Sequence, residues 1–388
     1  MNISALALRV KPPGTLRDVR QSRSLQVSVV RAARPHARPH ALRGLVALLA
    51  ATVVVAGCGS SSSSKTSPAS TTGASAATGT GSTSASQSAA APAPAVAELG
   101  PAQHPSAAQF PSSSGKSLKD LGTLAKSSVD LGAATGTFTP GTDRYAFALT
   151  TGSGKFVYAP TALYLATSPG APAKGPFLAP ADPMSVLPQF RSKQNSGPGG
   201  IQAIYAARLP VPKAGTYFVL SLTKGPKGLI GATGEVAAAA SSQIPAVGQR
   251  PPDIATDTAA TVHGDEALLT TRLPPEHMAA ESFDQVLGKK PIALLFSTPQ
   301  LCISRVCGPV TDVAVQLQQK FGNRVDFIHE EVYVDNQPSK GLRPQLKAFH
   351  LRTEPWLFAI DKQGKIVARL EGAFGTTEMT QALQAALR

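Results

Sequence analysis

Cys302 and Cys307 stand with four residues between them in Phe296-Ser-Thr-Pro-Gln-Leu-Cys302-Ile-Ser-Arg-Val-Cys307-Gly-Pro-Val310. Two thiols this close can exchange a disulfide or hold a soft ion such as Cu(I). Pro309 suits the first turn of a helix, which puts Cys307 at or near the N-cap. Unpaired backbone N–H groups and the helix dipole at that place stabilise a thiolate, lowering a thiol pKa from about 8.5 toward 7 or below. Arg305 adds positive charge to the loop. Cys307 is therefore the expected attacking thiol and Cys302 the expected resolving one, with the reverse order left open. An inert staple is the competing reading, because neighbouring cysteines in an oxidising compartment tend to be bonded. A loop this short would contribute only about 2 kcal/mol as a disulfide, which favours a redox role for the pair.

The elements that must hold these thiols are legible around them. Pro291-Ile-Ala-Leu-Leu-Phe296 is a continuous apolar run, as a strand buried on both faces should be. Val310, Val313, Ala314, Leu317 and Phe321 recur at helical spacing after the loop. Val325–Val334 reads as a second strand, Pro344–Phe349 as a short helix and Trp356–Ile360 as a third strand. Asp361-Lys-Gln-Gly364 turns into a fourth strand at Ile366–Leu370, and Thr377–Leu387 closes as a helix.

This order resembles the thioredoxin superfamily over roughly residues 282–388. Cysteines follow the first core strand directly, Cys307-Gly308-Pro309 repeats the start of the Cys-Gly-Pro-Cys signature, and Thr353-Glu354-Pro355 opens the third strand. The resemblance implies an α/β thioredoxin-like domain with Pro355 as the family's cis-proline beside the thiols, and Glu354, Trp356 and Arg305 as partner contacts. Thioredoxin-like peroxidases keep their attacking cysteine in this loop, which is why Cys302 stays a candidate attacker. Val310 replaces the second signature cysteine, Val306 stands where a tryptophan is usual, and Leu295 where the family buries an acidic proton shuttle. These departures weigh against a general reductase and leave thiol exchange itself untouched.

Thioredoxin-fold copper chaperones offer another resemblance, pairing a Cys-x-x-x-Cys loop with a distant histidine. The spacing here is one residue longer, and His329 and His350, the histidines available, read as structural. No metal or cofactor is expected. Glu330 and Glu331 point to opposite faces of their strand, so they read as one solvated and one hydrogen-bonded carboxylate. Glu354 should flank the cysteine loop and raise a neighbouring thiol's pKa. Trp356 should pack just beyond the edge of the site.

Residues 116–248 lack a helical period. Short strand-like runs at Tyr145–Thr150, Ala162–Ala166, Ile201–Leu209 and Thr216–Leu222 alternate with turn clusters, which predicts an all-β antiparallel sandwich. Lys213-Ala-Gly-Thr-Tyr217 resembles the late strands of immunoglobulin-like domains. Ser168–Gly200 reads as a loop and 249–281 as a Gly/Pro-rich hinge to the last domain. A spacer or docking role is expected for the sandwich, which has no cysteine or histidine.

Gly44–Ala56 is an apolar run, too short for a comfortable span and right for a secretory signal. Its ending, Val55-Ala-Gly-Cys58, resembles the lipobox of bacterial lipoproteins. The resemblance implies a signal peptide over 1–57, lipidation of Cys58 and a membrane lipid anchor on the extracytoplasmic face. Residues 58–115, rich in Ser, Thr, Ala and Gly, then read as a disordered tether. Gly and Pro together supply 67 of 388 positions, in keeping with extensive linker. The formal charge of +14 is concentrated at the start: residues 1–43 hold nine Lys and Arg against Asp18, leaving +6 elsewhere. No basic run with interleaved aromatics recurs, so nucleic acid is not an expected partner. The partners expected are extracytoplasmic protein thiols or disulfides, with a non-catalytic envelope adaptor as the alternative function.

Overall fold

The computed structural model describes residues 95–195 and 200–388. The signal segment, Cys58 and the front of the tether lie outside them. The back of that tether is not disordered. Helix α1 (Ala95–Gln103) buries Leu99 and Ala102 in the sandwich core, and Phe110 enters a second cluster with Leu118 and Tyr164. Leu99 and Phe110 break a run of small and polar residues, and the apolar area they carry is enough to dock it. Helix α2 (Leu118–Gly122) starts at a capping box, in which the Asp120 N–H donates to the Ser117 hydroxyl while the Asp120 carboxylate accepts from the Ser117 N–H.

Nine strands follow: β1 (Ala125–Ser128), β2 (Asp130–Ala133), β3 (Gly141–Thr150), β4 (Thr161–Ala166), β5 (Lys174–Leu178), β6 (Ala181–Pro183), β7 (Ala203–Val211), β8 (Gly215–Gly225) and β9 (Gly228–Ala238). They form two sheets, ordered β1-β9-β8-β4-β5 and β2-β3-β7-β6. All pairs are antiparallel except β1 with β9, which is parallel. The expected loop 168–200 carries β5 and β6, short strands whose Gly, Pro and Ala residues hide the alternation. The sheets share one core, and β3 shows how sequence assigns its two faces. Tyr145, Phe147 and Leu149 point into the sandwich, whereas Ala146 and Ala148 point out, into a different core. Before β8, the Tyr217 hydroxyl donates to the Lys213 carbonyl at 2.8 Å and pins the turn into the strand.

The remaining chain builds a four-stranded sheet from α3 (Glu266–Leu269), α4 (Phe283–Val286), β10 (Ile292–Phe296), α5 (Cys307–Phe321), β11 (Asp326–Glu330), α6 (Pro344–Ala348), β12 (Trp356–Ile360), β13 (Ile366–Glu371) and α7 (Thr376–Ala386). Its order is β11-β10-β12-β13, with β10 and β11 parallel and the other pairs antiparallel. Alternation again divides the side chains. Leu294, Phe296, Trp356 and Phe358 meet α4 and α6 on one face, while Ala293, Leu295, Leu357 and Ala359 face α5 and α7 on the other.

That second core is the one into which Ala146, Ala148, Met184, Val186 and Ile204 of the sandwich project. The two modules therefore share apolar core, and all described residues belong to one compact unit. Buried polar contacts reinforce the junction. Arg144 of β3 donates to the Glu378 carboxylate and to the carbonyls of Glu371 and Ala373. Asp182 of β6 accepts from the N–H groups of Gly375, Thr377 and Glu378, so one module caps a helix of the other. The expected hinge, 249–281, is tied to the last sheet along its length. The Thr256 N–H donates to the Ser282 hydroxyl and Thr256 Oγ1 accepts from the Phe283 N–H, Met278 accepts from the His329 N–H, and Arg272 pairs with Asp312 at 2.9 Å.

Candidate functional site: the Cys302–Cys307 pair

Phe296 ends β10, buried on the sheet face toward α4 and α6, and the chain turns at once. The Cys302 N–H donates to the Thr298 carbonyl and the Arg305 N–H to the Cys302 carbonyl, coiling the loop tightly. Arg305 takes a left-handed conformation, with φ of 59°, and returns the chain toward α5. Cys307 is the first residue of that helix. Its carbonyl accepts from Thr311 Oγ1 at 2.9 Å, and Thr311 Oγ1 lies 2.9 Å from Ser297 Oγ, tying the helix start to the end of β10.

This geometry gives the two sulfurs different surroundings from those expected. Cys307, inside the first turn, is fully buried, and burial pushes its thiol well above the usual range. Proximity to Cys302 and to the Glu354 carboxylate pushes the same way. Cys302, five residues earlier, lies in front of the helix. Its pKa falls to about 6, because it accepts a hydrogen bond from the Cys307 thiol, against the opposing effect of burial. The Ser304 hydroxyl at 3.1 Å and the N–H groups of Cys307 and Val306 add to the lowering. Cys307 belongs to the first turn of α5, whereas Cys302 precedes it and accepts from N–H groups at the helix start. Both cysteines are free thiols, and Cys302 is 6% exposed.

Glu354, Pro355 and Trp356 follow the site's other wall. The Glu354–Pro355 peptide is cis. Burial, and then the charge on Cys302, raises the Glu354 carboxyl to about 7. Trp356 is buried rather than available to a partner, stacked on Phe358 with ring centroids 5.7 Å apart. Its indole N–H donates to Thr353 Oγ1, which in turn donates to Glu371, so Trp356 fixes the segment that carries Glu354. Arg305 is exposed, and no described residue pairs with its guanidinium.

The expected secondary carboxylates and histidines are structural. His329 Nδ1 lies 2.5 Å from Glu276, and the pair raises its pKa to about 9 against the cost of burial. Glu330 pairs with Arg343 at 2.8 Å, and Glu331 accepts from the Thr271 N–H and hydroxyl. Both glutamates are buried, so neither is the solvated carboxylate expected, because segments 257–272 cover the strand end. His350 is exposed at the end of α6. Among the described residues no group of three or more His, Cys, Asp and Glu is placed to hold a metal ion.

Sequence reasoning missed Tyr333, whose phenol is raised by burial and by the charges of Glu354, Cys302 and Cys307. It also missed the cover. A cavity of about 360 Å³ separates the cysteine loop from the sandwich. Arg305, Val306, Pro309 and Glu354 line one side, and Ala133, Ala148, Phe156 and Ile204 the other. The sandwich closes over Glu354 through Glu371, which accepts from the N–H groups of Gly136 and Thr137. At Gly372, with φ of 70°, an added Cβ would meet the Ala134 carbonyl oxygen at 1.6 Å. Only glycine admits so close an approach. Nothing in the sequence of either module announces this contact.

No family model matches the chain, and no curated protein matches it. Among solved structures, a protein assigned as thiol:disulfide interchange protein DsbE from Chlorobium tepidum is similar at 14% identity and a TM-score of 0.27, over 37% of this chain and 99% of that one. The M1 domain from titin is similar at 11% identity and a TM-score of 0.13, over 29% of this chain and 90% of that one. Both similarities are weak.

Proposed function

We propose that the C-terminal module is a thioredoxin-like domain that performs thiol–disulfide exchange, with Cys302 attacking and Cys307 resolving. The observation that carries this reading is the placement of the Cys302 sulfur before α5, where a thiol donor, a hydroxyl and two backbone N–H groups stabilise its charge. The parallel β10–β11 pair, the antiparallel β12–β13 hairpin and the closing helix α7 support the thioredoxin-like reading. The nine-strand module reads as immunoglobulin-like, supported by the Tyr217 corner. Val55-Ala-Gly-Cys58 supports a lipid anchor at Cys58 and a place outside the cytoplasm.

In the forward direction the Cys302 thiolate attacks one sulfur of a partner disulfide and expels the other as a thiolate. Cys307 then gives its proton to Glu354 and attacks Cys302, releasing the second partner thiolate. The partner gains two electrons, the Cys302–Cys307 pair loses them, and solvent and Glu354 return the protons. Near-complete burial of both thiols favours a second reading, a structural disulfide in a non-catalytic adaptor. The reduction potential separates the two. A value between about −270 and −120 mV identifies an exchanger, and one below about −300 mV a staple.

A further inference from the structure

We infer that the disulfide exchanged at this site is a low-molecular-weight, carboxylate-bearing one, held in the cavity between the sandwich and the cysteine loop. The inference rests on the exchange reading above and assigns its substrate class. Three observations carry it. The strip beside Pro355 is occupied, which leaves no room there for an extended polypeptide. Glu371 holds Gly136 and Thr137 there, the Ala134 carbonyl fills the space over Gly372, and the Pro355 carbonyl accepts from the Gly372 N–H.

What remains is a partly open cavity of about 360 Å³, at the small end of ligand pockets. Its walls are mostly apolar on the sandwich side, and Ser304, Arg305 and Val306, the loop residues between the two cysteines, line the other. The third observation is charge. Arg305 lines this cavity and its guanidinium has no partner among the described residues. A guanidinium in that position recognises a carboxylate through paired N–H donors. The apolar walls accept the methylene and sulfur body of the ligand.

The reaction conserves atoms and electrons. For a disulfide RSSR, the Cys302 thiolate forms Cys302–S–S–R and expels RS⁻. Cys307, deprotonated by Glu354, closes the Cys302–Cys307 bond and expels the second RS⁻. The protein dithiol is oxidised and RSSR is reduced to two RSH.

The test uses the reduced full chain carrying Cys58→Ser, so that only the pair reports. Second-order rates of oxidation are measured with 3,3′-dithiodipropionate, with uncharged 2-hydroxyethyl disulfide and with insulin, and peptide mapping locates the first adduct. The expected result is an adduct on Cys302 from the two small disulfides and a rate for insulin at least about tenfold lower. Arg305→Gln should slow dithiodipropionate about threefold to fivefold more than it slows hydroxyethyl disulfide, the size of an exposed ion pair. Ala133→Phe, which fills the cavity from β2, should slow both small disulfides. Insulin reacting as fast as the small disulfides overturns the inference and leaves the exchange reading standing. Equal effects of Arg305→Gln on the charged and uncharged disulfides overturn it as well. Failure of all three to oxidise the pair removes the exchange reading, and this inference with it.

Discussion

Moving the negative charge from Cys307 to Cys302 changes what each sulfur can do. A thiolate stabilised by several donors attacks at neutral pH, and the same donors stabilise the reduced pair, which shifts the potential toward the oxidising end of the exchangers. Alkylation of Cys302 by iodoacetamide should follow a midpoint near 6. Cys307→Ala removes the largest cause of that lowering and should move the midpoint up, toward the ordinary value of about 8.5. A midpoint unchanged by this substitution would mean that the helix end alone sets the charge. The linkage has a definite sign. A folded-state pKa below the unfolded one gives the reduced protein stability that is present above about 8.5 and lost as pH falls through about 6. Reduced wild-type chain should therefore gain on Cys302→Ser between pH 6 and 8.5 in urea midpoints. Glu354 acts at the second step. Glu354→Gln should leave the first adduct forming at its normal rate and slow closure of the Cys302–Cys307 bond about 10²-fold, which quenched-flow mass spectrometry resolves. Slowing of both steps together would assign Glu354 to binding instead.

At the scale of elements, α7 illustrates how the fold is distributed between distant parts of the sequence. Gly375 precedes it with no capping side chain of its own, and Asp182, nearly two hundred residues earlier, accepts from three of its first N–H groups. Asp182→Ala should cost about 1–2 kcal/mol and raise amide exchange in the first turn of α7, while exchange in α5 stays unchanged. The helix itself was legible, since Met379, Leu383 and Leu387 share a face. Its cap was not, because no local pattern encodes a donor–acceptor pair between modules. The same division runs through the sheets. Trp356–Ile360 and the apolar run at β10 were readable because large side chains filled both faces. β2, β5 and β6 were not, because Gly, Ala and Pro give no period. Cys302 and Cys307 stood out by their spacing, and Glu354 and Pro355 by the resemblance to the thioredoxin superfamily. The roles of the two sulfurs depended on the turn at Arg305, whose left-handed backbone no residue type announces.

Across the whole molecule, the junction decides whether the sandwich is a neighbour or a working part of the thiol site. Ala146, Ala148, Met184 and Ile204 share a core with Val310, Leu357 and Phe374, and Arg144 sits buried within the contact. Apolar area of this kind cannot be exposed on one side without loss on the other, so the sandwich and the last sheet should unfold together. Urea denaturation followed by far-ultraviolet circular dichroism and by Trp356 fluorescence should give coincident transitions. Separate transitions would show that the modules are independent and that the cover over Cys302 can lift cheaply. Arg144→Ala leaves the half-buried Glu378 without its partner and two buried carbonyls without their donor, at about 1–3 kcal/mol for each buried group left unpaired. If the closed cover is what excludes large disulfides, a loosened junction should admit them. Arg144→Ala should then narrow the rate gap between insulin and hydroxyethyl disulfide in the same preparation that shows the lost stability. A destabilised variant that still excludes insulin would place the selectivity in the cysteine loop rather than in the packing of the two modules.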